Sequence, residues 1–163
     1  MSTFLTNGCK ISISTTAKAY AGTEFAASDF TSVTWTAIGN VESIGNLGDT
    51  AELVSQKYLD MSRVVKMKGT LNAGSLEMTC GIDYANTGQT AVRTAAGVAD
   101  QYAFKIEFND KPSGGTNSLR YFTGLVMSAT DQVSEADNVL KLVANVEITS
   151  NVVIVHAAAG GGS

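Results

Sequence analysis

The chain contains one histidine, one proline and two cysteines in 163 residues, and only 16% of its residues are charged. Each shortage removes a class of function. His156 stands beside an Ala- and Gly-rich end, where nothing supplies the rigid orienting partner that a Ser-His-Asp or Cys-His arrangement needs. Cys9 and Cys80 are far apart and form no CxxC, so the spacing encodes neither a zinc site nor a redox pair. Both fall on apolar parities and are expected as buried reduced thiols, with a disulfide between them as the alternative. There is no GxGxxG and no GK[ST], which leaves nucleotide binding without a phosphate cradle. No run approaches the roughly eighteen apolar residues that cross a bilayer, and no export signal is readable, so a cytosolic product without membrane association is expected. No catalytic residue, cofactor or metal is assigned, and an enzyme is not expected.

Positive charge is scarce as well. The formal charge is −4 and the pI about 4.9, which disfavours tight nucleic-acid binding, because such binders neutralise phosphates with clustered Lys and Arg. Asp131, Glu135 and Asp137 gather acidity at one place, but the segment lacks the glycine and the regular ligand spacing of a calcium loop. A solvated hairpin end is the expectation there.

What the chain does have is 44% hydrophobic residues, in a length that buries a core without staples and that suits one domain. Gly, Ala, Ser and Thr outweigh Leu and Pro, as in short strands joined by turns. Alternation with period two dominates. Cys9, Ile11 and Ile13 alternate with Lys10, Ser12 and Ser14; Val33, Trp35 and Ala37 alternate with Thr34 and Thr36. Trp35 shares the apolar parity and is expected in the core rather than as an exposed platform. Between these strands, Tyr20, Phe25 and Phe30 are placed to pin a polar loop to the body.

Val65, Met67 and Leu71 oppose Lys66, Lys68 and Thr70, and Leu76, Met78, Cys80 and Ile82 oppose Ser75, Glu77 and Thr79. The two runs predict a hairpin about Asn72-Ala73-Gly74. Further strands are predicted over Tyr102 to Asn109 and Leu140 to Ile148. Leu119 to Ala129 is apolar on both faces, with Phe122 and Val126 opposite Tyr121, Leu125 and Met127, and predicts a central strand or one that meets a neighbouring subunit. A single helix is predicted over 87–96, with Asn86 and Thr87 as caps, a narrow stripe of Ala91, Val92, Ala95 and Ala96, and Gly97 as a left-handed terminator. The fold class is mainly β: a sandwich or barrel of about eight strands with one flanking helix and a long contact loop. The β domain spans 1–155, and the low-complexity residues 156–163 are expected to be a flexible tail.

The long loop is 45–62, which mixes charges with apolar residues and lacks a clean period. Leu47, Asp49, Glu52, Leu53, Val54, Tyr58, Leu59 and Met61 are its candidates for inter-subunit contact. The turn from Lys111 to Asn117 is ordinary and polar.

The run from Trp35 to Thr50, the stretch Lys66-Met67-Lys68-Gly69-Thr70-Leu71-Asn72-Ala73-Gly74 with the alternating Ser75 to Cys80, then Gly124 to Ala129 and Val143 to Ile148 follow one another as they do in phage tail tube proteins, which the chain resembles over nearly its whole length. The resemblance implies hexameric rings stacked into the hollow tube of a tail, with strands of neighbouring subunits joined in an inner barrel and DNA passing transiently through it. It implies other tail proteins, such as a tape measure and a tail terminator, as partners, and the virion tail, assembled in the host cytoplasm, as location. The arm at 45–62 would then reach an adjacent subunit or ring. Glu77, Glu107 and Glu147, on polar strand faces, are candidates for the lumen, where negative charge lets phosphates slide. Two alternatives stand beside this: the tube protein of a contractile tail or bacterial injection apparatus, and a carbohydrate-binding β-sandwich with Trp35 or Tyr121 exposed.

Overall fold

The computed structural model describes residues 3–160. Among these residues there are ten strands, β1 (Lys10–Ala17), β2 (Trp35–Ile38), β3 (Val41–Ile44), β4 (Thr50–Gln56), β5 (Val65–Asn72), β6 (Ser75–Gly81), β7 (Gln101–Glu107), β8 (Leu119–Gln132), β9 (Lys141–Ile148) and β10 (Val153–Val155), and one α-helix, α1 (Thr87–Ala96). A 3-10 turn, Ala27–Phe30, lies between β1 and β2. The mainly β class with one flanking helix is as expected.

Eight strands form one antiparallel sheet in the order β2-β1-β7-β8-β9-β6-β3, with β10 pairing the first part of β8. The two edges, β2 and β3, are consecutive in the chain and joined only by Gly39 and Asn40. Two residues reach a few ångströms, so the edges must meet and the sheet must curl upon itself. Asn40 takes the left-handed conformation at φ 54° that the abrupt link needs. The enclosed face is apolar and dry: Ile11, Ile13, Leu76, Met78, Phe104, Phe122, Leu142 and Val146 are fully buried in one cluster. Phe104 and Phe122, cross-strand partners, stack at 5.4 Å.

Helix α1 closes the core with Val92 and Ala95. Its stripe of small residues allows a close approach: a methyl group added at Gly88 would overlap the carbonyl oxygen of Ala37. Asn86 caps the helix, its Oδ1 accepting from Gln89 N–H at 2.9 Å and from Gly39 N–H at 3.2 Å. Gly97 does not terminate the helix in the left-handed region. It stays right-handed at φ −87°, and the end tightens by Gly97 N–H donating to Thr94 and Val98 N–H to Ala95.

The opposite face of the sheet is half covered. Residues 18–34 lie over β1, β7 and β8, and Phe30, Ala103 and Val153 form a second apolar cluster with Phe25, Val33, Trp35 and Tyr121 against it. Trp35 therefore packs rather than standing as an open platform, and it does so in this second cluster and not in the main core. In β2 it is Ile38 that enters the main core, paired with Ile11, while Trp35 pairs with Ser14. Asn151 fastens the covering loop reciprocally, its Oδ1 accepting from Phe25 N–H at 2.8 Å and its Nδ2 donating to Phe25 O at 3.0 Å.

Three further expectations are corrected. Residues 41–44, to which the alternation assigns no strand, form edge strand β3, and Val41 and Ile44 pack on the core. The hairpin about Asn72-Ala73-Gly74 does not form: β5 pairs with β4, whereas β6 pairs with β3 and β9. At that corner Asn72 Oδ1 accepts from Gly74 N–H at 2.8 Å, and the chain leaves one sheet for another. Cys9 lies just outside β1 and is half-buried, whereas Cys80 is fully buried; both are free thiols. Residues 157–160 run along the β7–β8 loop, where Thr116 and Ala158 form a bridge and Ala157 N–H donates to Ser118 Oγ at 2.9 Å. Residues 161–163 of the expected flexible tail lie outside the described residues.

Candidate assembly interface

Among the described residues, β4 and β5 pair with each other and with no other strand. They make a two-stranded ribbon that leaves the body at Thr50 and Asn72. A lone two-stranded ribbon is marginal in water, and its stability ordinarily comes from a packed face. This one has apolar side chains on both faces. On one, Val54 lies opposite Met67 and Gln56 opposite Val65; on the other, Ala51 lies opposite Leu71 and Leu53 opposite Lys68. Leu53 is 64% exposed and Met67 47%, so neither face is used within the chain.

A register shift between Ala51 and Leu53 carries Leu71 to the face opposite Met67, although simple alternation puts the two together. Gly69 sits at this bulge, where an added Cβ would come within 3.0 Å of Glu52 O and Val54 Cγ2. The connecting turn bears Tyr58, Leu59 and Met61, all exposed, with Leu59 wholly so.

Of the residues expected in an inter-subunit arm, Glu52, Leu53, Val54, Tyr58, Leu59 and Met61 lie on the ribbon and face solvent. Asp49 is exposed at its base, in a small cleft with Leu71 and Ile148. Leu47 is not on the ribbon. It is half-buried against the core and lines a groove of about 490 Å³ between β3 and the Cys9 end of β1, together with Val41, Ile44, Ile106 and Phe108. Met67 and Leu71 are also exposed on the ribbon and are not among the sequence candidates, because the pattern pairs their strand with β6; Val64, exposed too, lies just beyond the 45–62 segment.

The three glutamates lie on the outer face of the sheet. Glu77 opposes Asn145 and Ser75 opposes Glu147, which makes Glu77 and Glu147 diagonal neighbours, both exposed. Glu107 is apart from them. It lies opposite Lys10 and Leu119, half-buried, and accepts from Asn117 Nδ2 at 2.7 Å.

Among the described residues, no three His, Cys, Asp or Glu side chains converge as metal ligands, and Asp131 of the acidic segment is engaged by Arg93 at 2.6 Å. Glu42, on the rim of the groove, is tied to Lys141 at 2.6 Å. Burial, with Glu42 adding to it, pushes the Cys80 thiol up to about 11, so it is no ready nucleophile at neutral pH. Two hydrogen bonds from Ser118 hold the Asp110 carboxyl below its usual range and fasten the β7–β8 loop. Trp35 and Tyr121 do not form an open sugar platform: Phe30 is stacked on both, at 6.5 and 5.0 Å, and burial, then Glu107, raises the Tyr121 hydroxyl.

No protein-family profile and no curated protein matches the sequence. Solved structures do match the fold. A chain of the sheath/tube terminator of an extracellular contractile injection system, PVC, superposes with a TM-score of 0.67 at 9% identity, over 95% of this chain and 98% of that one. The tail tube of SPP1 gives 0.64 at 10% identity, over 93% and 78%. A chain of the anti-feeding prophage baseplate gives 0.63 at 12%, over 96% and 98%. At such identities the shared property is the fold, and it extends over nearly all of this chain.

Proposed function

We propose that this protein is the subunit of a phage tail tube, assembling through its β4–β5 ribbon into stacked hexameric rings that conduct DNA. The observation that carries the reading is a ribbon apolar on both faces and covered on neither. Such a ribbon is stable when sandwiched between other protein surfaces, and the chain offers it none. The fold supports the same conclusion, since it is common to tube, tube-terminator and baseplate chains of phage and injection particles.

A channel requires several copies. The space enclosed by this sheet is filled by Phe104, Phe122 and their neighbours, and closed barrels hold a water-filled lumen only at about sixteen strands or more. Side-by-side joining of sheets also satisfies the open edges that invite aggregation. In the ring, the exposed outer face bearing Glu77 and Glu147 lines the lumen, where it repels phosphate; Glu107, already hydrogen-bonded, contributes less. The tape measure and tail terminator are the expected partners in a particle, and the virion tail is the location. In a contractile tail or injection apparatus the same subunit would be enclosed by a sheath, and the PVC likeness keeps that as the second reading.

Negative-stain microscopy of the concentrated protein tests the proposal, with hollow tubes of six-fold section as the expected result. Amides of residues 50–72 should exchange rapidly in the monomer and slowly in the tube. Equal exchange in both states, or a chain that stays monomeric at any concentration, counts against it.

A further inference from the structure

The ribbon is charged in the opposite sense to the molecule. The chain as a whole carries −4, yet residues 50–72 contain Lys57, Arg63, Lys66 and Lys68 against only Glu52 and Asp60. Lys66 and Lys68 share a face with Leu53 and Leu71, so this face is basic and apolar together. Among the described residues the two ion pairs are Arg93–Asp131 and Lys141–Glu42, and neither lysine takes part in one.

One other projection has the complementary character. The β8–β9 connection, residues 133–140, is exposed throughout and turns where Asn138 N–H donates to Glu135 O at 3.0 Å. It carries Glu135 and Asp137 beside Val133, Val139 and Leu140, and Val133 is 76% exposed. Asp131, just before it, is already paired with Arg93, which leaves Glu135 and Asp137 as the free acids.

The two projections lie at opposite ends of the same strand. The ribbon is rooted where β5 passes into β6, beside Ile148, whose N–H donates to Gly74 O at 2.9 Å. The acidic connection precedes Lys141, at the other end of β9. Eight residues of strand separate them, roughly 24 Å at about 3.4 Å per residue. Complementary surfaces at opposite ends of one body make a heterologous, head-to-tail contact, which repeats along an axis when its rotation does not close into a ring.

We infer that the basic-apolar face of the β4–β5 ribbon docks on the acidic β8–β9 connection of a second copy in the next ring. The inference rests on the tube reading and names the surface that the ribbon meets. Lys66 and Lys68 face Glu135 and Asp137, while Leu53 and Leu71 cover Val133 and Val139. Charge supplies register and apolar area supplies adhesion.

Charge reversal tests this with the full chain. K66E/K68E and E135K/D137K should each lose tubes under conditions where the wild type forms them, and the protein carrying all four reversals should regain them. All four positions are exposed, so each variant should unfold at the wild-type temperature as a monomer, which circular dichroism checks. Wild-type tubes should also loosen between 0.15 M and 1 M salt as the screening length falls from about 8 to 3 Å. Two results overturn the inference while leaving the tube reading intact: tubes that form with E135K/D137K alone, or loss caused instead by E77K/E147K and rescued by K66E/K68E, which would place the ribbon on the outer sheet face. Absence of wild-type tubes overturns both.

Discussion

Gln89 and Gly39 are joined by a hydrogen bond of 3.0 Å from the side-chain amide to the backbone carbonyl, and the same nitrogen donates to Gly81 O at 2.9 Å. Its Oε1 accepts from Asp83 N–H at 3.0 Å. One buried side chain thus holds the link between the sheet edges, the end of β6 and the start of α1. Q89A would leave buried backbone groups unsatisfied, at about 1–3 kcal/mol each. We expect the melting temperature to fall by several degrees, roughly 2–4 °C per kcal/mol for a chain of this size. Thermal unfolding measures it, and an unchanged midpoint would mean that the seam is held elsewhere.

The first turn of α1 lies directly on β2. G88A should cost about 1–3 kcal/mol through overpacking, because backbone rather than a flexible side chain occupies the space. Q89A and G88A act on one contact region, so their double variant should be less destabilised than the sum of the two. Chemical denaturation of the three proteins checks both statements.

Substitutions on the ribbon should behave oppositely. Leu53, Val54 and Met67 are exposed, so L53D/V54D/M67D should leave monomer stability within about 0.5 kcal/mol, as for surface changes generally, while abolishing assembly. Sedimentation velocity at high concentration separates the outcomes. A variant that still assembles would remove the ribbon from the interface.

The two thiols should differ in reactivity and in their effect on stability. Cys9 should react with a maleimide in the folded protein at neutral pH, and Cys80 only on unfolding. Because the folded Cys80 thiol is raised from 9.0 to about 11, the unfolded chain loses its proton first. Stability from this group is present in full below about pH 9 and is lost as pH rises toward 11. C80A should be less stable at pH 7 through its cavity but should show a flatter decline above pH 9. Denaturation between pH 7 and 11 tests the slope.

Period-two alternation carried most of the body: Ile11 and Ile13, Leu76 to Cys80, Phe104 and Ile106, and Leu142 to Ile148 all face the core as the pattern predicts. The helix over 87–96 was equally plain, because its cap and small stripe are local signals. What alternation cannot convey is which strand pairs with which. β5 alternates as well beside β4 as beside β6, and only the three-dimensional course shows that its apolar residues have no core to enter. The bulge at Gly69 moves Leu71 to the other face without leaving a trace in parity. Trp35 packs as expected, but parity could not say where: the sheet has apolar cover on both faces, so an apolar residue does not reveal its side. Mixed polarity alone singles out Leu53, Val54, Tyr58, Leu59 and Met61, which lie exposed on the ribbon, but it also takes in Leu47, since an apolar residue in a loop can equally pack inward.

Trp35 is the sole tryptophan, tilted against Tyr121 at 5.8 Å, stacked with Phe30 and topped by the Lys105 ammonium at 5.3 Å. Its neighbours come from the 18–34 loop and from two central strands, so its emission reads out one event: the seating of that loop on the sheet. The molecule carries a built-in optical gauge, able to register in real time whether the strap stays fastened while subunits join, without any label on the surfaces that meet.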